Sequence, residues 1–118
     1  RYLKIENIHV PTGKFALSGF RVFGKGNGSI PDAVKDFVVL RGESERRNAW
    51  IKWRQSDDAV GYTIYAGTSP GKLYTSIMVY GANEYYFPAM DKMQSYYFQI
   101  EAFNENGVGP RSKVIKVE

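Results

Sequence analysis

Apolar and polar residues alternate along Ala49-Trp50-Ile51-Lys52-Trp53-Arg54, and again along Tyr96-Tyr97-Phe98-Gln99-Ile100-Glu101-Ala102. Successive side chains of a strand point to opposite faces, so this period marks strands with one buried face. Two such faces must be covered by each other or by further strands of the same kind. The rest of the chain supplies them.

From Asp32 onward the sequence is a series of short strand-like runs separated by turn signals. We expect strands over Val34–Leu40, Ala49–Arg54, Val60–Ala66, Lys72–Tyr80, Glu84–Phe87, Tyr96–Phe103 and Lys113–Val117. Asp57-Asp58, Gly67-Thr68-Ser69-Pro70-Gly71, Gly81-Ala82-Asn83 and Asn104-Glu105-Asn106-Gly107 punctuate them. Pro88 ends the fifth run, because proline cannot donate to a central ladder. Seven strands without a helical period imply an all-β antiparallel sandwich.

The first 24 residues read as a β-hairpin turned at Pro11-Thr12-Gly13-Lys14. A lone hairpin is marginally stable in water, so this one is expected to pack on other material. Residues 25–31 are a linker by composition, and 32–118 form the main domain. The glycines of the linker lack the Lys-Ser/Thr ending and following helix of a phosphate loop. The chain begins at Arg1 and reads as a piece of a longer protein.

Two resemblances refine this outline. Ile51-Lys52-Trp53 with Val60-Gly61-Tyr62-Thr63-Ile64-Tyr65 resembles the B and C strands of a fibronectin type III domain. Met90 precedes Tyr96 at the spacing of that family's E–F corner. Tyr96, Phe98, Ile100, Ala102, Asn104, Gly107, Gly109 and Ser112 follow its F–G signature. The resemblance covers about residues 31–118 and implies an immunoglobulin-like sandwich with Trp53, Tyr62 and Tyr96 as structural residues. Met93 departs from the family, which often has proline there, so a less rigid corner is expected. Arg1-Tyr2-Leu3-Lys4-Ile5 with Leu17-Ser18-Gly19-Phe20-Arg21-Val22-Phe23-Gly24 resembles the last two strands of a discoidin-like (galactose-binding-like) domain. That second resemblance carries no glycan-binding residue into this chain.

Candidate chemistry is sparse. His9 has no partner motif nearby and reads as a strand-end surface residue. Asp57 and Asp58 are the residue types of an acid–base or calcium pair, yet in a turn they serve local backbone better. Glu101 sits on an outward strand face with no carboxylate partner in view. The segment therefore reads as non-catalytic, without cofactor or metal. No cysteine is present, which excludes disulfides and thiolate zinc sites. The net charge of +4 is scattered, and its densest group, Arg41, Arg46, Arg47, Lys52 and Arg54, reads as a solvated face and loop rather than a nucleic-acid surface. No apolar run approaches the roughly 20 residues of a membrane-spanning helix.

Nine Tyr and seven Phe are more than a core of this size absorbs, so some aromatic rings must lie outside it. If Ile51 and Trp53 face inward, Trp50 faces outward; if Tyr85 and Phe87 face inward, Tyr86 faces outward. Their strands neighbour each other in the resembled fold, so Trp50 and Tyr86 should form one exposed apolar spot. Two readings stand for it: a contact with the hairpin or a neighbouring domain, and a platform for sugar rings. Tyr65, Tyr97 and Phe103 should face outward on the other sheet and pack against one another across strands.

The combined resemblances imply an accessory module of a secreted, polysaccharide-degrading bacterial glycoside hydrolase of the β-xylosidase or arabinosidase type. In that role it would space and orient neighbouring domains of its own chain outside the cytoplasm. The alternatives are a module that binds plant-type polysaccharide or protein through Trp50 and Tyr86, and an adhesin or receptor ectodomain.

Overall fold

The structure is a computed structural model, and it describes residues 3–17, 19–20, 22 and 26–118. Among the described residues eight strands run in the order β1 (Val38–Arg41), β2 (Ala49–Lys52), β3 (Gly61–Gly67), β4 (Thr75–Tyr80), β5 (Glu84–Phe87), β6 (Tyr96–Asn104), β7 (Gly107–Val108) and β8 (Ile115–Val117). One sheet has the order β1-β2-β5; the other has β4-β3-β6-β7, with β8 also paired to β6. Every pairing is antiparallel.

The inward faces of the two sheets meet in one core. Ile51 from the smaller sheet and Ile64, Phe98 and Ile100 from the larger are fully buried. Full burial of each such side chain favours folding by about 1.5–3 kcal/mol. Phe87 reaches across to meet Phe98 edge-on, with ring centroids 5.3 Å apart. The alternation seen in the sequence is thus an alternation between this core and the outer surfaces.

Several strand ends differ from the expectation for a local physical reason. The first strand begins at Val38 rather than Val34, because Asp36 adopts a φ of 53° and breaks the extended backbone. Chain continuity survives the kink: Arg54 donates its backbone N–H to Lys35, and its guanidinium pairs with the Asp36 carboxylate at 2.6 Å. The second strand stops at Lys52, so Trp53 lies just past it and bonds to Asn83 instead. The extra strand is β7: Gly107–Val108, at the end of the expected Asn104–Gly107 turn, pairs back on Asn104 and Phe103. Pro110, with no N–H to donate, separates β7 from β8, while Ser112 restores the link by donating its N–H to Ile100. β7 is thus the eighth strand among the described residues where seven were expected, and the expected Lys113–Val117 is shortened to Ile115–Val117.

The amino-terminal hairpin does not form among the described residues. A turn is present where it was expected, with Gly13 donating to the Val10 carbonyl at 3.1 Å, but residues 3–17 carry no strand. Leu3, Ile5, Ile8, Phe15, Leu17, Phe20 and Val22 are all exposed, so their apolar faces have no covering layer and a hairpin here would gain little from burial. Arg1, Tyr2, Ser18, Arg21, Phe23 and Gly24, which also belonged to that expectation, lie outside the described residues.

Candidate functional site

The outer face of the smaller sheet carries the most distinctive surface. The register places Leu40, Trp50 and Tyr86 side by side across β1, β2 and β5. Trp50 and Tyr86 remain 46% and 43% exposed, and their rings lie 5.0 Å apart at 55°. A tilted pair at this distance is a favourable aromatic arrangement, so each ring holds the other in place. The next row on the same face is Val38, Lys52 and Glu84. Lys52 and Glu84 pair at 3.8 Å, giving the apolar row a charged flank. The result is a shallow apolar strip with donors and acceptors at one side. Chemically it offers stacking and surface contact.

Of the residues expected to be structural, Trp53 and Tyr62 lie in the buried core and Tyr96, partly buried, packs against it. Trp53 and Tyr62 are each 3% exposed, with ring centroids 5.2 Å apart. The Tyr62 hydroxyl accepts the Ser56 backbone N–H at 2.7 Å, anchoring the turn between β2 and β3. The Trp53 indole nitrogen is buried without a hydrogen-bond partner among the described residues, so packing alone fixes that ring. Tyr96 accepts the Asp91 N–H at 2.9 Å, closing the corner that leads into β6. Met90, one residue earlier, is buried beneath it.

The larger sheet hides a group that sequence reasoning missed. Glu101 does face outward, but it is only 8% exposed. It accepts the Tyr65 hydroxyl at 2.6 Å and the Arg111 Nε–H at 3.0 Å. Arg111 closes the arrangement by lying 4.0 Å over the Tyr65 ring. Burial, followed by the adjoining carboxylate, raises the Tyr65 hydroxyl above its ordinary pKa; the same carboxylate raises that of Arg111. Both shifts favour a neutral phenol and a charged guanidinium beside Glu101. Nothing here leaves a free acid or base, and the trio acts as a fastener.

The other titratable candidates are placed as surface or turn residues. His9 is exposed. Asp58 accepts the Ser56 hydroxyl and the Asp32 N–H, and the Ser56 bond is the main cause that lowers its pKa. Tyr80 stacks edge-on against Phe103 with centroids 5.5 Å apart, while Tyr74 lies almost fully exposed at the start of the β4 edge.

No protein-family model matches the sequence. Solved structures do match its shape. The chain is similar to the FN1–FN3 domains of chicken CNTN1, with a TM-score of 0.64 and 20% identity over 75% of this chain and 32% of that one. It thus spans about a third of that structure's length. A variant of the protein FN3tt matches with a TM-score of 0.63 and 23% identity, covering 75% of this chain and 96% of its own. An Fn3-like protein from Clostridium thermocellum matches with a TM-score of 0.60 and 18% identity, over 76% and 91% of the two chains. The fold is therefore the fibronectin type III, immunoglobulin-like sandwich.

Proposed function

We propose that this chain is a non-catalytic accessory module that spaces and orients neighbouring domains of a secreted polysaccharide-degrading enzyme. The carrying observation is where the chain enters and leaves the sandwich. Ser29 accepts the Asn104 side-chain amide at one end of β6, whereas Val117 pairs with Tyr96 at the other. Eight residues of extended strand separate those ends, about 26 Å at ~3.3 Å each. A domain entered at one pole and left at the other holds its neighbours apart by its own length.

The exposed apolar side chains between Leu3 and Val22 support the same reading, since apolar surface of that extent marks a contact with other material. The discoidin-like sequence pattern of the amino terminus supports a carbohydrate-active parent of the β-xylosidase type, by resemblance of residues alone. In a parent of that kind, replacing residues 26–118 with a Gly/Ser linker should lower the rate on polymeric substrate and spare the rate on a small glycoside. Equal rates on the polymer would sink the proposal.

The exposure of Trp50 and Tyr86 favours a second reading, in which the strip binds a plant-type polysaccharide. Tryptophan fluorescence of this chain, titrated with xylo- and arabino-oligosaccharides, separates the two. Trp53 is buried, so a saturable shift that disappears in Trp50→Phe would assign binding to the strip. A flat titration would leave spacing as its work.

A further inference from the structure

Residues 26–31 have the composition of a flexible tether, with Gly26, Gly28 and Ser29 among them. Their contacts are those of a bound segment. Gly28 donates its N–H to Asn106 Oδ1 at 2.9 Å, and Asn106 returns its amide to the Ser29 carbonyl at 3.1 Å. Asn104 donates to the same carbonyl at 2.9 Å and to the Asp58 carbonyl at 3.0 Å. Pro31 is fully buried, and its carbonyl lies so close to Gly109 that a Cβ there would collide with it.

The glycines answer to this packing. A Cβ on Gly26 would overlap the Asn106 side-chain oxygen, and one on Gly28 would come within 2.8 Å of the Asn106 amide nitrogen. A side chain at either position would push the Asn106 amide away, so glycine permits the close approach that these bonds use. The two asparagines are themselves held: Asn104 Oδ1 accepts the N–H groups of Asn106 and Gly107 at 2.8 and 3.2 Å. An amide side chain can donate and accept at once: Asn104 secures the turn and the entering chain together, while Asn106 spends both of its groups on the entering chain.

We propose that Gly26–Pro31 is a clamped joint, in which Asn104 and Asn106 fix the direction at which preceding chain enters the sandwich. The clamp stands on contacts within this chain; that it orients a neighbouring domain rests on the spacer reading above. A sugar-binding result would overturn that reading and leave the clamp untouched.

The test is backbone ¹⁵N relaxation of the 118-residue chain. Gly28 and Ser29 should show order parameters near the ~0.85 of rigid backbone rather than below the ~0.6 of flexible chain. Asn106→Ala removes that residue's two bonds to the segment, and leaves its backbone N–H on Asn104 Oδ1 and the Asn104 bond to the Ser29 carbonyl in place. It should drop Gly28 into the flexible range, with Ser29, still bonded to Asn104, falling less, while Tyr62 and Ile100 keep their wild-type values. Gly28→Ala, which crowds Asn106, should do the same. Flexible values in the wild type, or rigid ones retained in both variants, would overturn the proposal.

Discussion

Glu101 is a charge on the outer face of a sheet that nevertheless lies out of water, because Tyr65 and Arg111 cover it. Removing one partner of a buried charged hydrogen bond leaves the other short of its bonds, at about 1–3 kcal/mol. Glu101→Gln should therefore lower the unfolding free energy by an amount in that range, read as a lower urea midpoint with an unchanged slope. Tyr65 gives the arrangement a pH signature. Its folded pKa is raised, so the neutral phenol is the form the fold prefers. As pH climbs past the ordinary tyrosine value of about 10, the unfolded chain loses this proton first and stability falls until the folded value is reached. Below about pH 10 the contribution is complete. Denaturant melts across pH 9 to 11.5 should show this alkaline loss, and Tyr65→Phe should show less of it than wild type. An identical slope in the variant would remove Tyr65 as its source.

At the scale of elements, the corner before β6 is pinned from two sides. Inside, Tyr96 accepts the Asp91 N–H. Outside, Arg41 of β1 donates to the carbonyls of Gln94 at 2.8 Å and Asp91 at 2.5 Å, its guanidinium 5.6 Å from the centre of the Tyr96 ring. Tyr96→Phe keeps the ring and deletes one bond, so a loss of about 0.5–1.5 kcal/mol in denaturant unfolding is expected. A loss above about 3 kcal/mol would mean that the hydroxyl holds more than the corner. The tyrosine was legible in sequence because its spacing from Met90 is local; Arg41, about fifty residues before its acceptors, read as one scattered base among several. The same division runs through the fold. Glu84–Phe87 was read with the bounds the structure gives it, and the outward placement of Trp50 and Tyr86 followed from the two-residue period. The kink at Asp36, the fastening of Glu101 by Arg111 and the docking of Ser29 on Asn104 depend on contacts that no local period encodes.

For the whole molecule, the question is where the cooperative unit begins. Composition places the boundary at residue 32; if Gly26–Pro31 is a clamped joint, the bonds of Gly28 and Ser29 to Asn106 and Asn104, with the burial of Pro31 against Gly109, would carry it back to about residue 26. The apolar side chains from Leu3 to Val22 are exposed and should add little to the stability of the sandwich. A chain starting at Gly26 should therefore unfold within about 0.5 kcal/mol of the 118-residue chain, as expected when surface groups alone are removed. A chain starting at Asp32 loses the buried proline ring and the asparagine bonds, while recovering the entropy of ordering the segment. Those terms oppose each other, and the net loss should be roughly 1–2 kcal/mol. Comparing the three chains by urea unfolding decides the matter. Equal stability of the two shortened chains would make the docked segment energetically neutral and return the boundary to residue 32. A large loss on removing residues 1–25 would instead mean that the amino-terminal segment packs on this sandwich in solution. The expected order, with the single step falling between Gly26 and Asp32, would make the joint part of the folding unit. A neighbouring domain attached there could then swing only upstream of Gly26.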